Sequence, residues 1–269
     1  MKIAHDLHIH TNLSACGQKT ATLENYLAAA AQLGMKKLAF TNHVWDSVVP
    51  GAPEWYRPQN VAHVAQLRAE LERARGCGAE VIFGCEAEYD YAGRGLSLTE
   101  EAAEQFDVIL APNSHTHIVM PKAFYNSPRR HAEFMLQAYE DMLDCSVSRY
   151  ITAMAHPFHA VNCRPYDFSV PIAQIEDREF TRLFDKTVRK GIAVEINLGC
   201  VCDLEAESVD HIERSPHMRI FRLAKECGCQ FIFGSDSHAP ESLFRNRWAD
   251  SVAQILELRE EDILPLARI

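Results

Sequence analysis

Short apolar, largely β-branched runs recur along the chain at residues 3–8, 37–41, 81–87, 108–111, 150–155, 192–197 and 231–235. Each is short enough to be a strand buried on both faces. Between them lie stretches with apolar residues every three or four positions, over 23–33, 61–75, 131–143, 180–189 and 220–227. Four of these are closed by a glycine (Gly34, Gly76, Gly191, Gly228), the ordinary end signal of a helix. Strand and helix therefore alternate about seven times, which predicts a parallel α/β sheet. At 269 residues the pattern reads as a (β/α) barrel forming one domain over 1–269, in preference to an open doubly wound sheet.

The placement of polar residues sharpens that choice. His8 and His10 follow the first run and His43 the second, while Glu86 ends the third in Gly-Cys-Glu-Ala-Glu88. His115 and His117 follow the fourth, His156 the fifth in Ala-His-Pro, and Asp236 and His238 the seventh in Gly-Ser-Asp-Ser-His. Every group sits at the C-terminal end of a predicted strand. In a barrel these ends converge on one mouth. Side chains two apart on a strand point the same way, so His8 with His10 can offer two ligands to one cation. The remaining histidines, His5, His63, His131, His159, His211 and His217, fall outside this rhythm and read as structural or surface groups.

Composition narrows the partners. A formal net charge of −10 argues against wrapping a nucleic-acid backbone or an anionic membrane. No apolar run is long enough to span a bilayer. The nine cysteines contain no CxxC pair, and Met1-Lys2-Ile3 does not open a signal peptide. A reducing, cytoplasmic setting with most thiols buried as small apolar groups is expected. Oligomeric state stays open.

Taken in order, these motifs resemble the PHP (polymerase and histidinol phosphatase) family: HxH, a Thr-Asp-His-like element, Gly-x-Glu, Ser-His, Ala-His-Pro and Ser-Asp-x-His, spanning Asp6 to His238. The resemblance implies a distorted (β/α)7 barrel with two or three divalent metal ions (Zn, Mn or Fe) at its mouth. It allots His8, His10, Glu86 and Asp236 to one ion, has Glu86 bridge to a second held by His115 and His156, and gives a third to His43 and His238. Two departures stand out. Cys16 occupies the place of a common acidic third-metal ligand, and a thiolate there would favour zinc. Asn42 replaces the Asp that usually precedes His43, removing a ligand's hydrogen-bond partner or a negative charge. Glu88 and His117 lie two residues beyond ligand candidates and read as supporting or surface groups, with His117 the alternative to His115 at the ligand position.

The chemistry expected of such a cluster is hydrolysis by a metal-bridging hydroxide. The expected substrate is a small phosphomonoester, histidinol phosphate being the candidate. Asp236, Glu86 and His238 are the catalytic candidates, with Asp236 both ligand and hydrogen-bond partner of the bridging water or leaving oxygen. Arg129, Arg130, Arg164, Arg245 and Arg247 lie in loops near the mouth; Arg164 and Arg247 are favoured as phosphate ligands. Glu195 and Asn197 on the sixth strand are candidates to orient ligands or substrate. Residues 46–60, with three prolines and Trp55, form either a lid or a packed connection. Two other functions remain open: an amidohydrolase-type C–N hydrolase, and a catalytically weak metal-binding regulatory module.

Overall fold

The seven apolar runs become seven strands in a computed structural model of the chain, which describes residues 1–76, 78–160, 165–206 and 208–269. They are β1 (His5–Ile9), β2 (Lys37–Phe40), β3 (Glu80–Ala87), β4 (Val108–Pro112), β5 (Ala153–Ala155), β6 (Ala193–Asn197) and β7 (Phe231–Gly234). Each pairs in parallel with the next, so spatial order is chain order. Between β1 and β7 the backbone supplies one bridge, Ile9 to Ser237. Side chains stitch the rest of that seam. The Phe233 amide donates to His5 Nε2 at 3.0 Å, and the Ser235 amide donates to Asp6 Oδ1 at 3.0 Å. The sheet is thereby nearly closed into a distorted (β/α)7 barrel.

Helices α1 (Leu23–Leu33), α2 (Arg68–Ala74), α3 (Pro128–Asp144), α4 (Asp177–Lys190), α5 (His217–Glu226) and α6 (Ala249–Ile255) connect or follow the strands. Their ends obey local chemistry. Thr22 caps α1 by accepting from the Asn25 amide, and Gly34 ends it at φ 67°, where a β-carbon would be strained. Along α3 the buried face carries Phe134, Met135, Ala138, Tyr139 and Met142 at helical spacing.

The helix predicted over 61–75 is broken: one turn at Val61–Val64, a 3-10 turn at Ala65–Leu67, then α2. The fifth strand starts three residues late because Ser148–Tyr150 turns as 3-10 helix. Two features lie outside the seven-run pattern. His43–Val44 pairs in parallel with β3, setting His43 opposite Glu86, and Tyr89–Asp90 forms a hairpin with Gly95–Leu96. No helix among the described residues is long and apolar enough to cross a membrane.

Candidate metal centre

The strand ends deliver their polar side chains to one place. Glu86, fully buried on β3, is its middle: Oε1 lies 2.8 Å from His156 Nε2 and 3.6 Å from His115 Nε2, while Oε2 lies 3.0 Å from His43 Nδ1, 3.4 Å from His10 Nε2 and 3.5 Å from His8 Nε2. Asp236 Oδ1 approaches His10 Nε2 at 3.1 Å and His8 Nε2 at 3.5 Å. Four overlapping trios result, each with its donor atoms within 4.8 Å of one another: His8, Glu86, His156; His8, His10, Asp236; His43, Glu86, His115; and His10, His43, His238. Two of these residues have left-handed backbone, His156 at φ 25° and Asp236 at φ 52°. Such strain in non-glycine residues collects at functional sites.

A layer of hydrogen bonds fixes each ring. His8 Nδ1 bonds Glu195 Oε1 at 2.8 Å, and Glu195 Oε2 accepts from the His156 amide at 2.6 Å, so one β6 carboxylate braces two ligand candidates. His115 Nδ1 bonds Glu88 Oε2 at 2.9 Å, and the Tyr56 hydroxyl donates to the same oxygen. Ser114 Oγ meets His156 Nδ1 at 2.6 Å. His10 Nδ1 lies 3.2 Å from Ser14 Oγ, which donates to Asn42 Oδ1 at 2.9 Å. Asn42 Oδ1 also accepts from the amide and hydroxyl of Thr11. The amide thus keeps the link to His10 that a carboxylate would make; only the negative charge is lost. Gly234 is obligatory here, because a β-carbon would fall 2.1 Å from Glu195 Oε1 and 2.5 Å from His8 Cβ.

The donor set fits divalent cations. With His8 Nδ1 and His10 Nδ1 engaged by acceptors, both Nε2 lone pairs point at each other across 3.0 Å, an arrangement that demands a positive charge. Glu86 Oε2 is buried without a hydrogen-bond partner. Electrostatics agree. Burial opposes protonation of His8, yet Glu195, Asp236 and Glu86 hold its pKa well above the ordinary value. Burial likewise opposes His115, which Glu86 and Glu88 raise to about 9. Burial lowers His10, and His238 and His43 lower it further, leaving it neutral. Desolvation pushes Glu86 and Asp236 upward, but the surrounding imidazoles hold both well below the carboxylate range. Two ionised carboxylates amid imidazoles at these distances are what hard-to-borderline dications require.

Comparison with known proteins extends the picture. A family model for the PHP domain matches residues 6–199. The chain belongs to the PHP domain family. A protein of Clostridium acetobutylicum named a probable phosphatase is 23% identical over 238 residues, covering 88% of this chain and 80% of that protein. A probable phosphatase of Shewanella loihica is 24% identical over 269 residues, covering 100% and 89%. Among solved structures, histidinol phosphate phosphatase from Lactococcus lactis, complexed with zinc, L-histidinol and phosphate, aligns with a TM-score of 0.67 at 18% identity, covering 96% of this chain and 95% of that one. That likeness is one of fold.

In this PHP domain a cavity of about 590 Å³ opens over the cluster, with His43, His115, Asp236 and His238 at its base and Trp55 and Ile118 among its walls. The volume suits a small molecule. His117 and Cys16 also line it, but neither joins the four trios. His238 Nδ1 is held by its neighbour's backbone, Asp236 O, at 2.8 Å, and its ring stacks on His10. Residues 46–60 are largely exposed or half-buried and are pinned to the mouth at a few points: Trp55 sets its ring against His43, Tyr56 is fully buried, and the Ala15 amide donates to Gln59. Arg247 is not brought to the cavity; its guanidinium donates to the carbonyls of Leu204 and Ala206 and faces the Trp248 ring. Arg129 pairs with Glu179 and Glu133. Arg164 lies outside the described residues. Glu195, a carboxylate within the sixth apolar run, does orient ligand candidates as expected, and Glu88, just past the third run, supports His115. Ser14, Ser114 and Tyr56 carried no signal in the sequence.

Proposed function

We propose that this chain is a metal-dependent phosphatase that hydrolyses a small phosphomonoester, with histidinol phosphate as the leading substrate. The reading rests on one observation above the others: six histidines, from β1 and from the segments after β1, β2, β4, β5 and β7, gather around Glu86 and Asp236 with ring nitrogens turned inward. His8, His10, Glu86 and Asp236 would hold one ion, Glu86, His115 and His156 a second, and His43 with His238 a third. Cys16 is the further candidate at the third position. Four carboxylates, Glu86, Glu88, Glu195 and Asp236, face this cluster and match the charge of the first two dications; the third position, held by imidazoles, has no carboxylate of its own. Such ions, when bound, acidify water toward neutral pH and supply Lewis acidity to phosphate oxygens.

The protein's own groups supply the rest. Asp236 is the carboxylate of the cluster that reaches the cavity, its side chain 27% exposed, and it orients the attacking water by accepting its hydrogen bond. Glu195 and Glu88 keep His8 and His115 in the tautomer whose Nε2 is free. His117 lines the cavity and is the cationic candidate for phosphate oxygens, since no arginine among the described residues lines it. Trp55 and Ile118 exclude water from the leaving group's side. The phosphatase names of the relatives, and the zinc, histidinol and phosphate bound by the Lactococcus enzyme, support the substrate class. Seven described cysteines, all free, fit a reducing, cytoplasmic setting.

The test is phosphate release from histidinol phosphate and from nucleoside monophosphates, using one preparation before and after chelation. Release from histidinol phosphate at least tenfold faster, lost on chelation and restored by zinc or manganese, is expected. Turnover that survives chelation, or metal content without release from any ester, would overturn the proposal.

A further inference from the structure

A second set of soft ligands lies beside the cluster, on the segments after β5 and β6 and at the start of α5. His159 follows β5, Cys200 belongs to the single helical turn Leu198–Val201 after β6, and His217 is the first residue of α5. A ring nitrogen of each histidine and the Cys200 sulfur all lie within 4.8 Å of one another. None of the three belongs to the trios around Glu86. His217 is fully buried, and neither of its ring nitrogens has a hydrogen-bond partner; His159 Nδ1 is also buried and unpartnered. Buried imidazole nitrogens are normally satisfied, so three orphans on two adjacent rings need an explanation.

The surroundings favour a ligand over simple packing. The two rings sit 5.0 Å apart, and Phe168 packs against both at 4.5 and 5.5 Å, giving the pocket an apolar wall. Ser215 Oγ donates to the Cys200 carbonyl at 3.2 Å and accepts from the His217 amide at 3.3 Å, which ties two of the three residues together. The His159 amide donates to His156 O at 3.1 Å, and Phe158 between them is held at φ 64° by Asn113. Two neutral imidazoles and one thiol, at spacings that close with sub-ångström to ångström side-chain shifts onto bonds of about 2.0–2.3 Å, form a zinc donor set.

We propose that His159, Cys200 and His217 bind one zinc ion, distinct from those around Glu86, with a fourth position left to water. Binding displaces the Cys200 proton to solvent, since a coordinating thiol is held as thiolate. The ion clamps the segments after β5 and β6 to the start of α5, and so braces the His156 loop.

Cobalt titration of the chelator-stripped full chain is the test, because thiolate-to-cobalt charge transfer gives a near-ultraviolet band that imidazole and carboxylate ligands do not. The band is expected in wild type, abolished in Cys200→Ser and retained in Cys16→Ser. Zinc content should fall by one ion per chain in Cys200→Ser and in His217→Gln, while the zinc-restored phosphate release of Cys200→Ser stays within a few-fold of wild type. Absence of the band in wild type, or its survival in Cys200→Ser, overturns the assignment. Should both variants fail to fold, zinc-edge X-ray absorption of Cys16→Ser decides it: a sulfur neighbour at about 2.3 Å supports the site, and nitrogen and oxygen neighbours alone refute it.

Discussion

Replacing Glu195 by glutamine probes how the barrel holds its ligands without touching a ligand. Glu195 Oε1 accepts from His8 Nδ1 at 2.8 Å and from Asn197 Nδ2 at 3.1 Å, and Oε2 accepts from the His156 amide at 2.6 Å. An amide offers one oxygen. Turned toward His8 and Asn197, its NH2 meets the His156 N–H donor to donor; turned the other way, it loses two bonds. Either way a buried donor goes unpaired and the negative charge that makes His8 a better base disappears. Loss of such a supporting partner costs about 10- to 100-fold in metal affinity, or about 1.4–2.7 kcal/mol. The assay is a chelator competition giving the metal dissociation constant of wild type and Glu195→Gln, alongside phosphate release at saturating metal. Weaker metal binding with a native far-ultraviolet spectrum is the expected result. A folded variant whose dissociation constant matches wild type within about twofold would refute the bracing role.

Gly234→Ala should push Glu195 and His8 apart, since the new methyl falls 2.1 and 2.5 Å from them; overpacking of this kind costs about 1–3 kcal/mol, and a thermal melt unchanged from wild type would count against it. His5 supplies a pH prediction. Burial, then Lys37, lower its pKa to about 3, while the unfolded imidazole titrates near 6.5, so the unfolded chain takes up this proton first. Its contribution to stability is complete above about pH 6.5 and is lost as pH falls toward 3, by on the order of 5 kcal/mol at the acid limit. Urea unfolding of chelator-stripped protein from pH 7 to 4 should show a shallower pH slope for His5→Gln than for wild type, and equal slopes would sink the argument.

What could be read along the chain is what repeats locally. Apolar runs named all seven strands within a few residues, and period-two spacing placed His8 with His10 because alternation holds up to the strand's end. Ligand candidates at strand ends met because parallel strands share a mouth. What stayed hidden depends on contacts between distant segments. His5 and Asp6 read as an unremarkable strand start, yet they close the seam to β7. Glu195 could be suspected only as a carboxylate in an apolar run; that it joins His8 to His156 follows from β6 lying between β5 and β7. His217 and His159 fell outside the strand-end rhythm, and only folding sets them beside Cys200. Arg247 misled because a loop position near the mouth does not say which way a long side chain runs. The break in the 61–75 helix had no local signal, since Val64 to Arg68 is good helical sequence.

Anomalous diffraction from crystals grown with zinc or manganese addresses the centre itself. Peaks are expected in the pocket bounded by His8, His10, Glu86 and Asp236 and in that bounded by Glu86, His115 and His156, at about 2.0–2.3 Å from the inward ligand atoms. Well-ordered density for these side chains with no anomalous signal among them, at metal concentrations that support turnover, would contradict the account.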